Sequence, residues 1–203
     1  MKKLYPLIIV CIACLVPHAY ANPTPTIHDP FIQIDGGEAH TIALKQDGMV
    51  WTWGYNHYGQ LGDGSNTDKA YPVQVTDLTQ IIAIAAGAYH SLALKQDGTV
   101  WAWGYNCHGQ LGDGSTGNRN KPNQVSTISN ITSIATGGNH CLALKQDGTV
   151  WSWGYNNEGQ LGNGTNTNQS TPVKIDNLSH IQAIAAGSNH SLVLKQDGHV
   201  LAF

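Results

Sequence analysis

The chain has 203 residues, enough for one or two domains. Apolar residues make up 41% and charged residues only 11%, which suits a packed core and excludes a charged disordered tail. The formal net charge is −3. Loss of Lys2 and Lys3 with an N-terminal leader leaves 8 basic against 13 acidic residues, a net charge of −5. That sign excludes the basic footprint nucleic acid requires.

Lys2-Lys3, the apolar Leu4 to Val16 and then Ala19-Tyr20-Ala21 read as a secretory signal over residues 1–21, cut after Ala21. A lipoprotein-type cut before Cys14 is the weaker reading, because Cys11-Ile12-Ala13 is a poor match for its usual preceding residues. The apolar run is too short for a bilayer, which takes about 20 residues, so no stable membrane span is expected after cleavage. Residues 22–29 form a short leader, and a secreted, periplasmic or extracellular location follows. The mature chain keeps Cys107 and Cys141. The blade geometry below puts both on one rim of adjacent units. The residues leave open a disulfide, permitted in an oxidising compartment, and two unrelated substitutions, the favoured reading.

From residue 30 onward the chain repeats. His40, His90, His140 and His190 are spaced by fifty residues, and the stretch after each is nearly the same. Such a period marks a solenoid or a propeller. In the second unit, His90-Ser-Leu-Ala-Leu-Lys-Gln-Asp-Gly-Thr-Val-Trp-Ala-Trp-Gly104 is two alternating runs joined by Asp97-Gly98, a hairpin signal. With a two-residue turn, Leu94 faces Trp101, Leu92 faces Trp103 and His90 faces Tyr105. One face would then carry Leu92, Leu94, Trp101 and Trp103, and the other the small Ser91, Ala93, Ala102 and Gly104. Bulky faces nesting on shallow ones would satisfy close packing between stacked sheets.

Two further apolar pieces complete the unit, Ile81 to Ala86 before the hairpin and Pro122 to Val125 after it. Pro72, Pro122 and Pro172 stand at the entrance to the last piece, which proline's missing N–H places on an outer edge. Nothing shows helical periodicity. The fold expected is all-β, a β-propeller of four-stranded blades, with repeats at about 31–80, 81–130, 131–180 and 181–203.

No catalytic, cofactor or metal residues are assigned. Equivalent histidines on successive blades lie on a circle, and zinc needs ligand atoms about 2 Å from one centre. Imidazoles bonded to nearby backbone are the expected arrangement. Asp63-Gly64-Ser65-Asn66-Thr67-Asp68 looks like a calcium loop but lacks the bidentate glutamate, and the third unit has Asn163 in place of the aspartate. Asp47, Asp97, Asp147 and Asp197 are turn residues. A catalytic pocket should break the repeat with unique groups, and none does so; a non-enzymatic protein is expected.

The repeat is instead broken in loops that the hairpin geometry gathers on one rim. The candidate binding surface is Glu38, His57, Tyr58, Tyr89, Cys107, His108, Asn139, Asn157, Glu158 and Asn189. Propeller loops carry function on a rigid frame, so a protein or glycan partner is expected there.

Three motifs carry a family resemblance. Gly-x-x-His-[Ser/Thr] occurs at Gly37, Gly87 and Gly187, and with Cys141 at Gly137; Asp-Gly-x-Val-x-x-Trp-Gly follows Asp47, Asp97 and Asp147; Gly-Gln-Leu-Gly-x-Gly starts at Gly59, Gly109 and Gly159. The chain resembles the regulator of chromosome condensation repeat family from about Pro30 to Phe203. The resemblance implies a seven-bladed propeller, of which about three and a half blades are present, with Leu201-Ala202-Phe203 in place of Trp-x-Trp. The expectation is a partial coding sequence or, second, self-association of two copies to close a ring. The resemblance also implies an alternative activity, nucleotide exchange on a small GTPase, though no large insert is present to act as a wedge. The light-sensing role of a plant member needs clustered tryptophans in the Gly-x-x-His motif, where this chain has Ala39, Tyr89, Asn139 and Asn189.

Overall fold

A computed structural model describes residues 30–203; the signal and leader expected over 1–29 lie outside them. Fifteen strands and no helix make up the described residues. Three sheets have four antiparallel strands each, in chain order from one edge to the other. The first is β1 (Phe31–Gly36), β2 (His40–Lys45), β3 (Val50–Gly54) and β4 (Lys69–Gln74). The second is β5 (Ile81–Ala86), β6 (His90–Lys95), β7 (Val100–Gly104) and β8 (Arg119–Gln124). The third is β9 (Ile131–Thr136), β10 (His140–Lys145), β11 (Val150–Gly154) and β12 (Gln169–Lys174). A three-stranded sheet follows, of β13 (Ile181–Ala186), β14 (Ser191–Lys195) and β15 (Val200–Ala202). The first strands of successive blades lie side by side around an axis, and the fourth strands form the outer edge.

Both the hairpin register and its faces differ from the sequence expectation. The loop has three residues, Gln96-Asp97-Gly98: Lys95 N donates to Thr99 O at 2.9 Å and Gly98 N to Lys95 O at 2.9 Å. Gly98 sits at φ +79°, the bulge geometry of a three-residue loop. Asp97 Oδ1 fixes the turn by accepting from Thr99 N at 3.0 Å and Thr99 Oγ1 at 2.6 Å. Leu94 is therefore opposite Val100, Ala93 opposite Trp101 and Ser91 opposite Trp103. One extra loop residue moves a strand's side chains to the other face. The true faces are Leu92, Leu94, Val100 and Ala102 on one side, and Ser91, Ala93, Trp101 and Trp103 on the other.

These faces still nest. Leu92, Leu94, Val100 and Ala102 pack with Leu111 and Val125 against Cys141, Ala143 and Trp153 of the next blade. The same seam joins the first blade's Ile42, Leu44 and Val50 to Ala93 and Trp103. In the third seam Phe203 occupies the tryptophan position, beside Leu142, Leu144 and Val193. Trp103 and Trp153 are fully buried; Trp53, on the first blade's outward face, is half-buried.

The prolines also lie elsewhere than expected. The fourth strands begin at Lys69, Arg119 and Gln169, so Pro72, Pro122 and Pro172 are inside them. They fall where pairing shifts register between Gly54↔Lys69 and Thr52↔Val73 and its counterparts. An outer edge strand with an irregular ladder tolerates a residue lacking N–H.

Candidate functional site

Each blade seam is built from the repeated motifs. His40 Nε2 lies 2.9 Å from Ser91 Oγ, and Ser91 Oγ donates to Gln60 O at 2.9 Å. Gln60 O accepts also from Trp103 Nε1 at 2.9 Å. The hydroxyl has one proton and gives it to the carbonyl, so His40 Nε2 is the donor toward serine. The next seam repeats this with His90, Cys141, Gln110 O and Trp153, the histidine-to-sulfur distance being 3.2 Å. The third has His140, Ser191 and Gln160 O. The histidines thus bond to side chains of the following blade, and His40 also bonds the Ala88 backbone, the kind of partner expected from sequence. Among the described residues the Nδ1 atoms of His90 and His140 have no hydrogen-bond partner. Burial lowers His40 and His140 to about 4; burial, then the neighbouring histidines His40 and His140, lowers His90 to about 3. All three are neutral structural groups near pH 7.

The glycines of these motifs mark close approach between neighbours. A Cβ on Gly62, at φ +70°, would lie 2.7 Å from Trp103 Nε1, and one on Gly87 would meet the His90 ring. Only glycine lets the next blade's indole approach the loop this closely. Within that loop Asn56 organises the chain. Its Oδ1 accepts from Leu61 N at 3.0 Å, and its Nδ2 donates to Ser65 O and Thr67 O, both at 3.1 Å. The residues that resembled a calcium loop are occupied internally: Asp63 accepts from Ser65 N and pairs with Lys69 at 3.3 Å. The second unit keeps the pair as Asp113 and Arg119, 2.9 Å apart, and the third replaces both with the neutral Asn163 and Gln169.

On the rim above the seams, aromatic rings form a row across three blades. Tyr55 lies 4.6 Å from His57 and 5.9 Å from Tyr58, centroid to centroid. Tyr58 reaches Tyr105 of the second blade at 4.8 Å, with Tyr89 at 5.5 Å on its flank. Tyr105 continues to His108 at 6.2 Å, and His108 to Tyr155 of the third blade at 4.8 Å. Apart from the exposed His57, these rings are half-buried. Each ring therefore keeps part of its surface open to solvent.

Of the sequence-derived surface, His57, Tyr58, Tyr89 and His108 join this row. Glu38 flanks it; burial and then the hydrogen bond with Glu38 raise the Tyr89 hydroxyl above its ordinary range. Tyr105 Oη and Cys107 Sγ are hydrogen-bonded at 2.6 Å, and this bond, which holds the phenol proton, and then burial push Tyr105 up to about 12. Asn139 Oδ1 accepts from Gln110 Nε2 at 3.0 Å. Asn157, Glu158 and Asn189 are exposed on the same rim outside the row. The disulfide is not formed: Cys107 is free and exposed, and Cys141 is free and buried in the seam, where burial raises its thiol well above the usual range. Tyr55, Tyr105 and Tyr155 were missed because they recur in every unit, whereas the candidate surface was sought where units differ. The spacing Tyr-Asn-x-[Tyr/His], which puts a second ring three residues on, was the available signal.

The profile of the RCC1-like domain matches residues 14–203. The chain belongs to the RCC1-like domain family. It is 44% identical over 62 residues to the ultraviolet-B receptor UVR8 of Arabidopsis thaliana, a span that is 30% of this chain and 14% of that protein. The crystal structure of human WBSCR16 superposes with a TM-score of 0.79 at 27% identity, over 90% of this chain and 49% of that one. Prp20p from Saccharomyces cerevisiae, a protein characterised for binding Gsp1p and histones, gives 0.75 at 29%, over 89% and 46%. The chain therefore spans about half of these propellers. Among the described residues no helix is long and apolar enough to cross a membrane.

Proposed function

We propose that this chain is a non-enzymatic, exported binding propeller that holds a protein or glycan partner on its aromatic rim. The observation that carries the reading is the continuous row Tyr55–Tyr58–Tyr105–His108–Tyr155, half-open to solvent on a frame of closed seams. Rings already packed on one another lose little freedom on binding and offer both apolar area and hydroxyl groups, as contact surfaces rich in tyrosine do. The seams support the same reading from the other side. Their histidines are held neutral by burial and bonded across the seam to a serine or cysteine that in turn bonds a glutamine carbonyl, an arrangement suited to holding blades together. Export rests on the N-terminal signal pattern.

A photo-crosslinking amino acid in place of Tyr155 would identify the partner in the secreted fraction. Titration of the purified partner with Tyr105→Ala then tests the site. Weaker binding at unchanged melting temperature supports the rim; equal affinity removes it. Nucleotide exchange on a small GTPase is the second reading, supported by the binding of Prp20p to Gsp1p. It is checked by nucleotide release from purified GTPases, where the rim reading expects no acceleration.

A further inference from the structure

Beside the aromatic row, between the outer parts of the first and second blades, lies a cleft of about 420 Å³. Tyr58 and Asn66 line it from the first blade; Asn118, Arg119, Lys121 and Asn123 line it from the second. The volume is within the span of small-molecule sites, roughly 300–1,000 Å³, yet its wall is amide-rich where such sites are usually apolar.

The cleft is a place where the repeat changes. The first blade has Ala70, Tyr71 and Val73 in its fourth strand, and the third has Ser170, Thr171 and Val173; the second has Asn120, Lys121 and Asn123. Val73 and Val173 stand opposite Thr52 and Ser152, and Asn123 stands opposite Ala102 in the same register. An amide there removes apolar contact without joining the ladder through its side chain: among the described residues its side-chain bond is to Gln124 O at 3.4 Å. Asn118 uses its Oδ1 on Asn106 N at 2.9 Å and makes no bond with its NH₂ group among the described residues. Asn120 is already engaged, donating to Gly64 O and Asn66 Oδ1 at 3.0 Å, and ties the two walls together.

The charges of the cleft are matched. Arg119 meets Asp113 at 2.9 Å and Lys121 meets Asp77 at 3.2 Å, so each cation has its carboxylate and the cleft has no spare formal charge. An anion would have to displace a carboxylate. A polyhydroxylated neutral molecule would not, since amides and paired ions both donate and accept. Tyr58, half-buried, adds an aromatic ring to the lining, the kind of group against which a sugar ring's C–H surface packs.

We propose that this cleft binds a neutral oligosaccharide, with Tyr58 under one sugar ring and Asn118, Asn123 and Lys121 bonding its hydroxyls. The proposal deepens the rim reading, naming a ligand for the ground next to the row. A glycan array of labelled neutral and acidic oligosaccharides, probed with the full chain, gives the first test. The strongest neutral hit is then titrated calorimetrically against the full chain and its variants. Lys121→Thr/Asn123→Val restores the third unit's residues and should fold normally. It and Tyr58→Ala are each expected to weaken binding about tenfold or more, the loss of one or two hydrogen bonds or a stacked ring. Tyr155→Ala should bind the sugar as the unsubstituted chain does. Retention of no neutral glycan, retention of acidic ones only, or undiminished binding by the folded double variant would each overturn the proposal. A partner held on the aromatic row would respond the opposite way, losing affinity with Tyr155→Ala and keeping it with the double variant, so the two readings fail separately.

Discussion

The seams and the rim are built from the same fifty-residue unit, yet the two regions use repetition differently. At the seams one bonding pattern recurs: histidine to hydroxyl or thiol, that group to a glutamine carbonyl and, in the first two seams, an indole to the same carbonyl. On the rim, position 58 is tyrosine, its counterpart 108 histidine and 158 glutamate, and the contact each makes changes with it. A seam residue faces the next copy of its own unit, so every unit must present the complement that its neighbour needs. A rim residue faces solvent or a partner and has no such obligation. Two positions of the repeat cross this division. Cys141 is a change inside a seam, and it substitutes for serine in both bonds, to His90 and to Gln110 O. Tyr55, Tyr105 and Tyr155 are constant but belong to the rim.

The comparison breaks most severely with acid. Burial holds His40, His90 and His140 neutral, with folded values of about 4, 3 and 4 against an ordinary 6.5. Below pH 6.5 the unfolded chain binds protons that the folded chain refuses. The stability from these groups is complete above that pH and is lost as pH falls toward 4, by roughly 1.4 kcal/mol per pH unit for each histidine. Melting temperature against pH should drop steeply between 6.5 and 4.5; a flat profile would contradict neutral, buried seams. Next, Trp103→Ala opens a cavity and removes one of the two donors to the Gln60 carbonyl, and should cost about 3–5 kcal/mol in denaturant unfolding. The same change at the half-buried Trp53 should cost clearly less. Gly62→Ala places a methyl group on the Trp103 indole from a left-handed backbone position, for roughly 1–3 kcal/mol. Cys141→Ser gives the middle seam the group its neighbours have, and thermal unfolding should change by less than about 1 kcal/mol. Smallest in stability is Tyr105→Ala on the rim, within about 1 kcal/mol, although partner affinity should fall. Should Tyr105→Ala unfold the protein as Trp103→Ala does, the row is structural and the division between the two regions fails.

Much of this architecture was legible in the residues. The period from His40 to His190, Asp-Gly between alternating runs and the absence of helical spacing sufficed for strands, blades and their stacking. The sequence also pointed to the rim, since Tyr58, Tyr89 and His108 stand where units differ. It misplaced the hairpin faces because two-residue and three-residue turns both accommodate Asp97-Gly98, and the choice moves Trp103 from beside Leu92 to beside Ser91. It put Cys107 and Cys141 on one rim of adjacent blades with unrelated substitutions as the favoured reading, and the structure has Cys141 buried in the seam and Cys107 exposed, both free.

The order of chain elements, the fold family and the repeating unit were thus set by local pattern, because strand periodicity and turn chemistry act over a few residues. Which side chains meet was settled only when blades packed. A seam contact such as His40 with Ser91 joins residues of neighbouring units, and the row from Tyr55 to Tyr155 exists only once three rims lie side by side.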